Sequence, residues 1–336
     1  MTEALIAYAL FLAKAVTIAA IVGVILVALV RARRETHPAE EQLDITDLND
    51  RYRETGRSLR HATLSGKAYR KAVRAEQKED KARDKAGEGP RPRVFVLDFH
   101  GDIKASEVAA LRECITAVLL VATDADRVLL RLENPGGMVA EHGLAASQLA
   151  RLRERKIPLT VAVDKVAASG GYLMACVADR ILAAPFAVLG SIGVVAQLPN
   201  FHRVLERHGV DFELHTAGDY KRTLTLFGEN TDAGRDKLRE QLEETHRLFK
   251  DYIADYRPAL DLPRVATGEY WHGRQALELG LVDAIQTSDD YLLEVRADAD
   301  LLQLKYSARK RPIDRLLASL GGALGGVMER TLARLG

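Results

Sequence analysis

Three short glycine-bearing segments carry the residues whose types and spacing could do chemistry. Residues 133–139 read ENPGGMV, residues 166–175 read VAASGGYLMA and residues 216–223 read TAGDYKRT. Ser169 is a hydroxyl at a predicted passage from strand to helix, where free N–H groups and the positive end of the helix dipole favour developing negative charge. That suits a nucleophile attacking a carbonyl, although a plain N-cap followed by glycines accounts for the same residues. Gly137 has no side chain to hold a substrate oxygen away, so its N–H and that of Gly170 can form an oxyanion hole. A tight loop that needs glycine dihedrals predicts the same pair.

A serine nucleophile needs a base. None of the 9 histidines lies in a comparable glycine-flanked loop and the pattern Gly-x-Ser-x-Gly is absent, so a Ser–His–Asp triad finds no clear support. Lys221 offers another route. A lysine in a low-dielectric site loses its charge more readily, and the neutral amine takes a serine proton. Its plain alternative is a solvated surface cation.

These side chains require a scaffold, and the apolar patterning supplies one. Residues 94–99, 127–133 and 158–164 read as strands, and 106–122 carries helical periodicity behind a serine cap. A helix is predicted over 143–156 and another just after Ser169. Strand-like stretches follow at 188–195 and 212–217, with a helix near 200–208 and a long amphipathic helix over 231–256. Alternation of this kind predicts an α/β fold with largely parallel strands.

The ends differ in character. Residues 4–30 are apolar apart from Lys14 and a few small hydroxyl or aromatic groups, long enough for one membrane-spanning helix. The run ends in Arg31, Arg33 and Arg34 rather than in small cleavage-site residues, which predicts a retained anchor; on charge alone those arginines place the body in the cytoplasm. Residues 35–93 turn charged and Ala-rich, a helical stalk or linker. The tail 309–336 reads as an amphipathic helix or as disordered chain. The expected division is therefore 1–34 anchor with basic flank, 35–93 stalk, 94–308 catalytic domain and 309–336 tail. With a net charge of +1 and acids interleaved among the bases, nucleic-acid binding is not expected. Cys114 and Cys176 stand singly in apolar stretches, which excludes a disulfide framework and a cysteine-based zinc site and fits two small buried thiols.

Taken in order, the anchor, the charged stalk, ENPGGM, DKVAASGGYLMACVAD, GSIGVVAQ and TAGDYKRTLT resemble the signal peptide peptidase A family of bacterial serine peptidases, in its shorter, SohB-type branch. The resemblance covers nearly the whole chain, with stalk and tail loosest. It implies Ser169 as nucleophile, Lys221 as general base, Ser191 as the residue that orients Lys221, and Gly137 and Gly170 at the oxyanion hole. It also implies a Clp protease/crotonase-like spiral of ββα units and a homo-oligomer forming a ring or dome. The implied activity is that of a serine endopeptidase needing no metal or organic cofactor, working on signal-peptide remnants or other membrane-derived and unfolded peptides. The family's place is the bacterial inner membrane, single-pass through residues 4–30, with the catalytic domain periplasmic, against the direction the arginines indicate. The alternatives are a crotonase-like acyl-CoA enzyme, which shares a glycine-built oxyanion hole, and a non-catalytic membrane scaffold with a peptidase-like fold.

Overall fold

Among the described residues ten strands are interspersed with helices along the chain. The computed structural model describes residues 41–85, 91–218 and 220–308, together with Leu10, Phe11, Lys14, Val16 and Thr17. The expected anchor over 4–30 therefore lies almost wholly outside the described residues, and the tail 309–336 lies entirely outside them. Among the described residues no helix is long and apolar enough to cross a membrane. Packing divides the chain into a large unit, Asp44–Lys305, and a smaller one of Met1–Leu43 with Tyr306–Gly336. The smaller unit's described residues are the five helical positions named above and the outer ends of two strands.

The strands are β1 Glu41–Asp47, β2 Arg93–His100, β3 Arg127–Glu133, β4 Leu159–Val163, β5 Val166–Ala168, β6 Arg180–Ala183, β7 Val188–Gly190, β8 Tyr270–His272, β9 Ala284–Ile285 and β10 Asp300–Ala308. A seven-stranded sheet has the order β1-β10-β2-β3-β4-β6-β9, and a three-stranded sheet has the order β5-β7-β8. From β10 to β9 every pairing in the larger sheet is parallel. In the smaller one β5 and β7 run parallel and β8 returns antiparallel.

Parallel strands covered on both faces should be continuously apolar, and β2 and β3 are: four consecutive residues of β2 and three of β3 are buried. On one face Val94, Val96, Leu129, Ala162, Leu182 and Leu301 pack beneath Tyr291 and Leu292 of the helix Ser288–Val295. Helix Val108–Val121 lies against β2 and in turn against helix Val139–Glu154. The predicted α/β class with largely parallel strands is what the chain adopts.

Three local departures have physical causes. The segment 212–217 forms no strand: Phe212 and Leu214 are exposed and no neighbouring strand satisfies their backbone. The strand predicted over 188–195 stops at Gly190, where φ turns to +99°. The charged segment before Val94 is helical over Leu48–Thr63 and Gly66–Lys85, joined through Arg57 and Arg60 to Glu76. Its beginning nevertheless belongs to the body. Leu48 is in the core, and the Asn49 amide donates to the Arg296 and Ala299 carbonyls while its oxygen accepts from the Leu301 N–H.

Candidate active site

The turn at Ser169 is a strained elbow. Strand β5 ends at Ala168 and a helix begins at Gly170, and between them Ser169 takes φ 52° and ψ −120°. A non-glycine residue with positive φ costs on the order of 1–3 kcal/mol, so its neighbours must hold it there. They do so from both sides: the Ser169 N–H donates to the Gly190 carbonyl of β7 (2.8 Å), and the Ser169 carbonyl accepts from the Leu173 N–H (3.0 Å). The two following glycines answer to space. A Cβ on Gly170 would stand 2.5 Å from the His142 ring, and one on Gly171 would stand 2.1 Å from the Asn134 carbonyl oxygen.

The Pro-Gly-Gly loop is pressed against this elbow. It leaves β3 at Asn134, which is fully buried and bridges to β5 in parallel fashion, its N–H donating to Val166 and its carbonyl accepting from Ala168. The Asn134 side-chain oxygen accepts from the Gly136 N–H (2.9 Å) and faces His142 Nε2 (3.2 Å). Gly136 has φ +92°, and a Cβ there would lie 2.7 Å from Ser169 Cβ. On the loop's other side a Cβ on Gly137 would lie 2.3 Å from the Ile103 carbonyl oxygen, which itself accepts from the Met138 N–H. The loop thus fits only without side chains, clamped between Ile103 and Ser169.

Ser169, Gly137 and Gly170 border one cavity of about 290 Å³. Helix Val139–Glu154 forms one wall through Val139, His142, Gly143 and Ser147, and Leu173 lies behind the elbow. Helix Asp232–Tyr256 forms another through Thr245, Leu248, Phe249 and Tyr252, and Gly193 and Val194 close a third side. Gly170 stands first in its helix, where an N–H has no intrahelical partner and is available to a ligand.

Helix Asp232–Tyr256 is anchored by the residue after it. Arg257 donates to both Asp283 oxygens (2.8 and 2.9 Å) and to the Gly280 carbonyl, and Asp283 also accepts from the Ile181 N–H of β6. Burial alone would raise the Asp283 carboxyl; the Arg257 hydrogen bonds outweigh it and hold that carboxyl below the usual range.

Lys221 and Ser191 are not among the residues lining the cavity. Ser191 directly follows β7, with φ 50° and its N–H donating to the Glu269 carbonyl (2.6 Å). Lys221 is exposed in an irregular segment. Its neighbours fix that segment against the start of the long helix: the Tyr220 ring lies 4.9 Å from Lys237 Nζ, and a Cβ on Gly234 would meet the Thr223 oxygen. The cavity begins only at Thr245, about 12 Å further along the helix axis at the helical rise. Within one chain, then, Ser169, Gly137 and Gly170 meet at one space, and the Lys221 loop packs at the start of the long helix.

Asn134 and His142 went unnoticed in the sequence. Asn134 sits inside the ENPGG segment and was the available signal; His142 is ordinary in a helix until its buried ring is seen against Gly170. Both cysteines are buried, and burial pushes the Cys176 thiol well up.

Comparison with known proteins places the chain in a family. The model of Peptidase family S49 N-terminal matches residues 3–149 and that of Peptidase family S49 matches residues 151–302. A relative in Haemophilus influenzae described as "Probable protease SohB" is 47% identical over 94% of this chain and 92% of its own length. A protein of the same description in Buchnera aphidicola subsp. Acyrthosiphon pisum is 56% identical over 68% of each chain. A solved 1510-N membrane-bound stomatin-specific protease in complex with a substrate peptide aligns with 68% of this chain and 98% of its own at 14% identity, with a TM-score of 0.43. With both family models matched and one relative this similar over nearly its full length, the chain belongs to peptidase family S49, is of the SohB type, and is a serine-type endopeptidase.

Proposed function

We propose that this endopeptidase works by a Ser–Lys dyad, with Ser169 as nucleophile and Lys221 as general base supplied by a second copy of the same chain. The observation that carries the reading is the strained Ser169 elbow opening onto an apolar cavity bordered by Gly137 and Gly170. Lys221 in its neutral form takes the Ser169 proton as the hydroxyl oxygen attacks the peptide carbonyl. The Gly137 and Gly170 N–H groups receive the oxyanion, and Lys221 returns the proton to the leaving amine. Water then attacks the acyl-enzyme by the same proton route and frees the serine. Ser191 orients the lysine.

Donation from a second copy accounts for two features at once. Lys221 lies apart from the cavity lining, and its segment carries apolar side chains left in solvent, among them Phe212 (42% exposed), Leu214 (47%) and Tyr220 (62%). Packing that segment against a neighbour's cavity would bury those groups and carry the ammonium into the low-dielectric place where it loses its proton. The assembly is a homo-oligomeric ring or dome of Clp protease/crotonase-type spirals. Support for the spiral comes from consecutive strands that alternate between the two sheets, β4 then β5, β6 then β7, β8 then β9.

Residues 4–30 anchor the protein in the bacterial inner membrane with the catalytic body periplasmic, and an anchored site raises the local concentration of membrane-derived peptides such as signal-peptide remnants. A reporter fused after residue 308 decides the side. The chemistry is tested by cleavage of a labelled apolar peptide by the full chain in detergent. Ser169→Ala and Lys221→Ala should each lose about a thousandfold or more of turnover while assembling normally. Undiminished cleavage by either variant refutes the dyad.

A further inference from the structure

Gly143 is a helical glycine that the packing does not call for. It lies inside the helix Val139–Glu154, and a Cβ built on it meets no atom within 4 Å. Glycine in a helix interior is less favourable than alanine, because it gives up more chain freedom on folding. The glycines at the elbow differ: a Cβ on Gly136, Gly137, Gly170 or Gly171 would come within 2.1–2.7 Å of a neighbour.

The open space over Gly143 is the cavity beside Ser169. Val139, Gly143 and Ser147 recur at every fourth position, share one helix face and all line it. Leu248, Phe249 and Tyr252 belong to its other helical wall. Of the hydroxyls on the two helical walls, Ser147 donates to the Gly143 carbonyl (2.9 Å) and Thr245 to the Gln241 carbonyl (2.8 Å), while that of Tyr252 is buried with no hydrogen-bond partner. What the walls present is therefore largely hydrocarbon, next to a nucleophile and two oxyanion glycines. A side chain adjacent to the attacked carbonyl has this space to enter.

We propose that Gly143 is a specificity-determining residue: its missing side chain sets the depth of a pocket that takes a bulky apolar side chain, leucine, methionine or phenylalanine, from the residue whose carbonyl Ser169 attacks. The inference rests on Ser169 as the nucleophile and deepens that reading. A side chain at position 143, whose Cβ meets no atom within 4 Å, shortens the pocket and so penalises large substrate side chains more than small ones.

The test uses the full chain in detergent and two labelled peptides identical but for phenylalanine or alanine on the acyl side of the cut. Wild type should prefer phenylalanine. Gly143→Leu should lower the phenylalanine-to-alanine ratio of kcat/KM by about tenfold or more, and Gly143→Ala by less, the effect expected when a few methylenes compete for one pocket. Thermal midpoints should stay level or rise, since both replacements favour helix. Should Gly143→Leu cut neither peptide, Gly143→Ala carries the measurement. Ratios within about twofold of wild type, or a wild type indifferent to the two peptides, overturn the proposal. Ser169→Ala is run on the same peptides: if it still cuts, the nucleophile assignment has failed, whereas Ser169-dependent cutting with unmoved ratios condemns the pocket alone.

Discussion

Ser169 and Ser191 leave neighbouring parallel strands at the same level. Ala168 of β5 is in register with Gly190 of β7, the next residue of each chain segment is a serine, and both serines have positive φ, 52° and 50°. The strands therefore deliver two hydroxyl-bearing residues side by side at their carboxyl ends, where parallel sheets present ligand sites. If Ser191 orients Lys221, then Ser191→Ala should lower kcat about ten- to a hundredfold with a smaller change in KM, and should shift the ascending limb of the pH–rate profile, where Lys221 loses its proton. Ser191→Gly relieves the positive φ and should raise the thermal midpoint while losing the same activity. A Ser191→Ala enzyme with the wild-type pH profile speaks against the orienting role.

Lysine donation from a second copy makes a prediction that donation within one chain does not. Ser169→Ala and Lys221→Ala proteins, each inactive alone, should regain a fraction of wild-type turnover when co-expressed and purified as one assembly, because some cavities then pair an intact Ser169 with an intact Lys221 from a neighbour. Co-purification of both tagged variants without any regained cleavage would place both residues in one chain.

Asn134 ties the Pro-Gly-Gly loop to the elbow and, if Gly137 serves the oxyanion, should behave as a positioning residue. Asn134→Ala strands the buried Gly136 N–H and removes the oxygen facing His142 Nε2, at a cost of about 1–3 kcal/mol. The thermal midpoint should fall accordingly. Gly137 is also released from its place, so kcat should drop by a larger factor than KM rises. A variant destabilised to that extent with unchanged kcat would make Asn134 structural only.

The fold was legible in the sequence wherever burial dictates residue type. β3 matches its expected range of 127–133, and the long helix differs from its expected range by one residue at its start, because continuous apolar runs and helical spacing record what each element packs against. Ser169, Gly137 and Gly170 were legible for a related reason: close backbone approach at the elbow excludes side chains and leaves a run of glycines. Phe212 and Leu214 alternate like a strand, but no neighbouring strand takes up their hydrogen bonds, and a missing partner leaves no mark in local sequence. The position of Lys221 relative to Ser169 is likewise a matter of chain path. His142 and Asn134 act through each other and through backbone groups, which no short motif encodes.

Two carboxylates predict the response to acid. Asp126 is 2% exposed and accepts from the Arg93 N–H and guanidinium and from the Thr123 N–H and hydroxyl. Burial alone would raise its carboxyl, but these donors outweigh it and hold the carboxyl well below the usual range, as Arg257 does for Asp283. A carboxyl whose folded value lies below its unfolded value of about 3.9 contributes its full stabilisation above that value. As pH falls further the unfolded chain binds the proton first, so the contribution shrinks and is gone once pH lies below the folded value. Stability should therefore be level near neutrality with respect to these groups and should fall steeply below about pH 4. Asp126→Asn should cost about 1–3 kcal/mol at pH 7, the loss expected when hydrogen bonds to a charged group are removed beside a partly exposed Arg93, and should flatten the acid limb. Urea unfolding from pH 3 to 7 measures both, and an acid limb of unchanged slope in Asp126→Asn would show that other groups carry it.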